Sequence, residues 1–122
     1  MFELTRKFGG LCIADEVQTG FGRIGKEVWG YKWQGVQPDI VVLAKGIANG
    51  FPMAAVVSRK EIMNSMSYNF FNTYGGGILQ CRLAIETLDI LKEEKLSENS
   101  ERIGKILLDG FNRIQRKSKY FG

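Results

Sequence analysis

Two charged side chains stand where catalytic groups of an α/β protein commonly stand, each just after a short apolar run. Asp15 follows Leu11-Cys12-Ile13-Ala14, and Lys45 follows Ile40-Val41-Val42-Leu43-Ala44. Runs that are apolar at every position and bounded by glycine and proline suit strands buried on both faces of a sheet. In open α/β sheets ligands collect beyond the carboxyl ends of the strands, so two parallel neighbours would bring both groups to one crevice. A free lysine is a poor nucleophile at neutral pH, because its amine holds a proton up to a pKa near 10.4. Desolvated beside another electropositive group it gives that proton up and can attack a carbonyl carbon. Pyridoxal phosphate (PLP) requires such a lysine, together with a carboxylate that keeps its ring nitrogen protonated. Spacing alone equally allows a salt bridge at the strand ends, or two unrelated solvated charges.

Composition narrows the remaining chemistry. The 122 residues include no histidine, which removes Ser-His-Asp and Cys-His catalysis and histidine-bound zinc. Two cysteines, Cys12 and Cys81, form neither a CxxC motif nor a disulfide framework, and Cys12 reads as a buried, reduced thiol. The net charge of +4 is spread evenly along the chain. Only Arg113, Arg116, Lys117 and Lys119 cluster, as cations do at a helix C-terminus. Basic residues on one face interleaved with stacking aromatics are missing, so a nucleic-acid partner is not expected. With 44% hydrophobic residues the chain is an ordinary globular one, and no apolar run is long enough to span a membrane.

Gly20-Phe21-Gly22-Arg23-Ile24-Gly25 is a literal GxGxxG. A dinucleotide site needs those glycines directly after a strand, opening a helix that meets the pyrophosphate. Here Asp15-Glu16-Val17-Gln18-Thr19 intervenes and no convincing helix follows, so a dinucleotide-binding module is only a minor alternative.

The elements that must position these groups follow from periodicity. Phe2 to Phe8 reads as the end of a helix stopped by Gly9-Gly10. A third apolar run, Met53 to Val57, lies about nine residues after the second, too close for a parallel crossover; paired with it, the third strand must be antiparallel. Residues 19–37 read as loop with one short helix, and residues 64–77 as irregular. Ile78, Cys81, Ile85, Leu88 and Leu91 then mark one helical stripe. Ile103, Leu107, Phe111 and Ile114 mark a second, with Ser97 as its expected cap. Three strands and two amphipathic helices cannot enclose a core with both sheet faces covered, so the chain is expected to be part of a larger α/β protein.

Four ordered blocks carry a more specific signal. Asp15-Glu16-Val17-Gln18-Thr19-Gly20-Phe21-Gly22-Arg23, Pro38-Asp39-Ile40, Ala44-Lys45-Gly46-Ile47-Ala48-Asn49-Gly50-Phe51-Pro52 and Phe71-Asn72-Thr73-Tyr74-Gly75-Gly76 together resemble class III (ω-type) PLP-dependent aminotransferases. Met53-Ala54-Ala55-Val56 and Lys92-Glu93-Glu94-Lys95-Leu96 resemble the mitochondrial branch of that family acting on alanine and glyoxylate.

The resemblance implies an α/β fold, the PLP fold-type I large domain. Its sheet would be mostly parallel with one antiparallel strand, followed by two amphipathic helices. Residues 1–122 would form part of that domain, truncated at both ends, with about 96–122 starting the helix towards a C-terminal domain. It implies PLP as cofactor, with Lys45 holding it as a Schiff base and shuttling the substrate proton. Asp15 would pair with the pyridinium nitrogen, Val17 would pack on the ring and Gln18 would sit near the phenolic oxygen. Thr73 would reach the phosphate from the neighbouring subunit of a homodimer. Glu16, Arg23 and Asn49 are read as structural.

The implied substrates are an amino acid such as alanine and a 2-oxo acid such as glyoxylate, in mitochondria. The segment before Gly9 has no feature of a targeting peptide. The isolated chain is expected to be inactive, the alternative being a non-catalytic product that pairs with full-length subunits. One departure from the family pattern is Gly77-Ile78 where Asn-Pro is usual; it should weaken the helix start beside Thr73.

Overall fold

A computed structural model describes residues 1–68 and 70–120. Asn69, in the expected irregular stretch, and the terminal Phe121 and Gly122 lie outside the described residues. The element order is α1 (Phe2–Lys7), β1 (Ile13–Asp15), α2 (Gly30–Trp33), β2 (Ile40–Leu43), β3 (Ala55–Ser58), α3 (Lys60–Asn64), α4 (Ile78–Glu93) and α5 (Leu96–Gln115). A 3₁₀ turn, Lys45–Ala48, follows β2.

The strands form one mixed sheet in the order β1-β2-β3. β1 runs parallel to β2, with Asp15 opposite Val42; β2 runs antiparallel to β3, with Leu43 opposite Ala55. The antiparallel pairing is the one that the short connection demands. Two strands are displaced from their expected limits. Cys12 stays outside β1 because its carbonyl accepts from the amides of Asp39 and Ile40, at 2.8 and 3.2 Å, ahead of the ladder. β3 starts at Ala55, beyond Pro52, which has no amide hydrogen to donate.

Phe21, Leu43, Ile47, Ala48, Ala84 and Leu91 make the core, with Trp29 and Val41 packed against it. The expectation of strands buried on both faces is corrected. Ile13 is 60% exposed, Val56 57% and Val57 55%, so both faces of the sheet carry open apolar side chains. The stripe read for α4 holds at Leu91, which is buried, and is corrected at Ile78, Ile85 and Leu88, which are exposed; Ala84, outside the stripe, is the helix's other core residue. Ala84 is small, and it lets the helix approach the 3₁₀ turn, where a bulky residue could not fit.

Ser97 does not cap α5. The helix begins at Leu96, with Lys95 in the left-handed region at the cap position (φ 51°). Ser97 Oγ is instead buried without a hydrogen-bond partner. α4 begins at Ile78 with Gly77 at its cap position, where no side chain bonds the first amides.

One carboxylate ties the sheet together at its far end. Asp39, just before β2, accepts from the Cys12 amide (2.8 Å to Oδ2) and from Arg59 Nη2 (2.7 Å to Oδ1). Arg6 Nη2 lies 3.6 Å from Oδ2, and the Ser58 hydroxyl donates to the Asp39 carbonyl at 3.0 Å. The ends of all three strands thus meet at one residue.

The Cys12 amide, then the Arg6 and Arg59 guanidiniums, hold the Asp39 carboxyl below its ordinary value of 3.8, against the opposing effect of burial. A carboxyl with a lowered folded-state pKa stabilises the fold above its unfolded value, and that contribution disappears as pH falls through the folded value. Denaturant melts against pH should therefore show stability dropping as pH falls below about 4. Asp39→Asn should be less stable at neutral pH and lose that part of the acid dependence.

Candidate functional site

The parallel pairing of β1 and β2 carries both strands' carboxyl ends to the same sheet edge, where Asp15 ends β1 and Lys45 follows β2. Asp15 is the last residue of its strand, and its partner Val42 lies three positions before Lys45. The Asp15 Oδ1 accepts from the Val17 amide at 3.1 Å, which turns the chain away from the strand. Both side chains are exposed, and no ion pair joins them among the described residues. The salt-bridge alternative does not describe this edge.

They open into different hollows. Lys45 lines a cleft of about 520 Å³ with Arg23, Asn49, Phe51, Pro52 and Met53. Asp15 lines a separate groove with Ala14, Thr19 and Tyr31. Val17 is half-buried and Gln18 exposed in the turn after Asp15. Thr73 lies elsewhere, exposed in the Asn72–Gly75 turn, which the Gly75 amide closes onto the Asn72 carbonyl at 3.1 Å. Its neighbours Asn72 and Tyr74 line a third hollow that shares Phe51, Pro52 and Met53 with the Lys45 cleft. Asp15 to Gln18 and Lys45 therefore gather at one edge, and Thr73 sits beyond the Phe51–Met53 wall.

Glu16 has a different task. Its buried carboxylate accepts from the Thr19 hydroxyl (2.8 Å) and from the amides of Gly30 (2.8 Å) and Tyr31 (2.7 Å). Every strong contact is spent on folding the loop, which matches its structural reading. Arg23 and Asn49, also read as structural, both line the Lys45 cleft.

The last two glycines of the GxGxxG pattern, Gly22 and Gly25, pack against α5. A β-carbon at Gly22 would lie 2.2 Å from Ser97 Oγ, and one at Gly25 would lie 2.7 Å from the Glu101 Cα. Both have positive φ, 74° and 89°, and no helix opens on them. They are a seat for α5 and have no phosphate-loop geometry. Gly22→Ala should destabilise the chain by about 1–3 kcal/mol in denaturant melts, from crowding and backbone strain together.

An amine, a carboxylate and an amide projecting from one edge make a donor set that fits a ligand carrying a carbonyl, a basic ring nitrogen and an ionised oxygen. PLP has all three.

Comparison with known proteins gives this edge a context. The family model described as Aminotransferase class-III matches residues 1–122. The chain is 48% identical, over 99% of its length, to the human mitochondrial protein named alanine--glyoxylate aminotransferase 2, covering 24% of that protein. It is 42% identical, over 96% of its length, to the ethanolamine-phosphate phospho-lyase homolog 1 of Caenorhabditis elegans, covering 26% of it. Among solved structures, an (S)-enantioselective ω-transaminase from Thermomicrobium roseum superposes with a TM-score of 0.85 at 42% identity, over 93% of this chain and 27% of that one. The chain spans about a quarter of the length of the curated relatives it matches.

Proposed function

Because this chain belongs to the class III aminotransferases, we propose that its β1–β2 edge is the PLP site of a transaminase. The enzyme would move an amino group from an amino acid such as alanine to a 2-oxo acid such as glyoxylate. The observation that carries this reading is that Asp15 and Lys45 both stand at the carboxyl ends of two paired parallel strands. A relative named for alanine and glyoxylate supports the substrate pair.

Lys45 would hold the cofactor at its aldehyde carbon, Asp15 at its ring nitrogen, Val17 on a ring face and Gln18 at the phenolic oxygen. Bound there, PLP supplies a conjugated ring that takes up the electron pair left when a substrate Cα–H bond breaks. Lys45 Nζ, outside any ion pair among the described residues, would take the Cα proton and deliver it to the carbon that bore the cofactor's aldehyde, which is general acid–base work by a flexible amine. The negative charge of Asp15 favours a protonated partner across the edge. Val17, half-buried, offers an apolar surface that excludes water from one side.

Thr73 would contribute its hydroxyl to the phosphate of a neighbouring subunit. Support for a homodimer comes from the apolar surface beside its turn: Ile78 is 91% exposed and Leu79 59%. A mitochondrial location is supported by the relative whose name places it there. No helix of the described residues is long and apolar enough to cross a membrane. The phospho-lyase relative shares this same span, so these residues would set cofactor chemistry common to both, with the fate of the substrate decided elsewhere.

Trapping tests the reading. The purified chain is incubated with PLP, reduced with borohydride, digested and mapped by mass spectrometry. The label should fall on Lys45 alone among the 10 lysines and vanish in Lys45→Ala. In an active assembly the same substitution should lower alanine-to-glyoxylate transfer by about 10²–10⁴-fold. Scattered labelling, or none, would refute the assignment.

A further inference from the structure

Four described residues other than glycine have positive φ: Phe21 (61°), Lys45 (50°), Asn49 (47°) and Lys95 (51°). Three of them meet at one junction. Lys45 opens the 3₁₀ turn and Asn49 closes it. Phe21 comes from a loop 24 residues earlier and packs under the turn's second residue. A β-carbon placed on Gly46 would lie 3.0 Å from Phe21 Cδ2 and 3.3 Å from its Cβ and Cγ. Only glycine leaves the ring this close to the backbone. The far edge of the ring is braced by Trp29, with centroids 5.1 Å apart and the planes at 70°. Where the turn joins its flanks, the Ile47 and Asn49 amides reach the Ala44 and Gly46 carbonyls at 3.3 Å. Left-handed conformations at bulky residues persist only where the surroundings over-determine them, and such strain collects where a group must be aimed.

We infer that Phe21 is the positioning residue of Lys45. Its ring presses on Gly46, holds the 3₁₀ turn in place and keeps the Lys45 Cα left-handed, so that the amine enters the cleft instead of following the strand direction. The inference rests on the reading of Lys45 as the reactive amine. Phe21 itself does not line the Lys45 cleft.

Leucine separates positioning from bulk, because it retains Cβ, Cγ and Cδ2, the three atom positions nearest the turn. Amide hydrogen exchange reads the turn without any cofactor, and PLP–borohydride labelling reads the amine. In Phe21→Ala the Ile47 and Asn49 amides should exchange about tenfold faster or more. Labelling of Lys45 relative to the other nine lysines should fall by about tenfold. Phe21→Leu should restore both. Asp39→Asn, at the opposite end of the sheet, should lower global stability and leave both ratios near wild type.

Unchanged exchange in Phe21→Ala would overturn the inference. So would a Phe21→Leu variant as impaired as Phe21→Ala, or equal effects from Asp39→Asn. Should Phe21→Ala not fold, Gly46→Ala crowds the same contact from the other side: faster exchange at Ile47 and Asn49 supports the inference, and wild-type exchange overturns it. A wild-type chain that takes no label on Lys45 would defeat the functional reading, while the exchange ratios still decide the positioning.

Discussion

The Asp39 carboxylate joins the approach to β1, the start of β2 and the exit from β3 through the Cys12 amide, its own backbone and Arg59. A buried charge is costly to desolvate, and here two charge-assisted bonds and a second guanidinium offset that cost. Once this end is fixed, the direction of β1 and β2 is fixed, and both must deliver their last residues to the opposite edge. Asp39 is paired with guanidiniums at one end of the sheet, and Asp15 and Lys45, proposed to do chemistry, stand open at the other. Neither Asp15 nor Lys45 forms an ion pair among the described residues, which is what a group awaiting a ligand requires.

The loop between β1 and β2 serves that edge from beneath. Glu16 gathers the amides of α2, Phe21 fills the space below the Lys45 turn, and Gly22 with Gly25 lets α5 come close enough to back the loop. The pattern that resembles a dinucleotide motif in the sequence is thus part of the scaffold for a lysine. Much apolar surface stays open, including Ile13 and Val56 on the sheet and Ile78 on α4. A chain about a quarter as long as its curated relatives has two long helices, α4 and α5, with which to cover a two-faced sheet. That is the arithmetic which made a larger α/β protein the expectation.

What the sequence discloses depends on how local the cause is. The three strands are legible as unbroken apolar runs, and the antiparallel pairing of β3 follows from loop length alone. The placement of Asp15 and Lys45 at one edge follows from the same runs once β1 and β2 are parallel. The five residues of α3 are too few to display a helical period, so nothing marks them. In α4 the large residues suggest one face, but the short distance to the 3₁₀ turn selects the face with Ala84. Phe21 is illegible for a related reason: between two glycines it reads as a loop aromatic, and only three-dimensional packing makes it a wedge. Asp39 is visible as part of a Pro-Asp-Ile block, yet its partners come from residues 6, 12 and 59.

The most direct measurement of the central claim is an amide NMR titration of the isotopically labelled chain with PLP. Binding at the β1–β2 edge predicts saturable shifts in Asp15 to Gln18 and in Lys45 to Asn49, absent from Lys45→Ala. Saturable shifts confined to Gly20 to Gly25 and α5, or unsaturable shifts spread over the basic C-terminal turn, would contradict it.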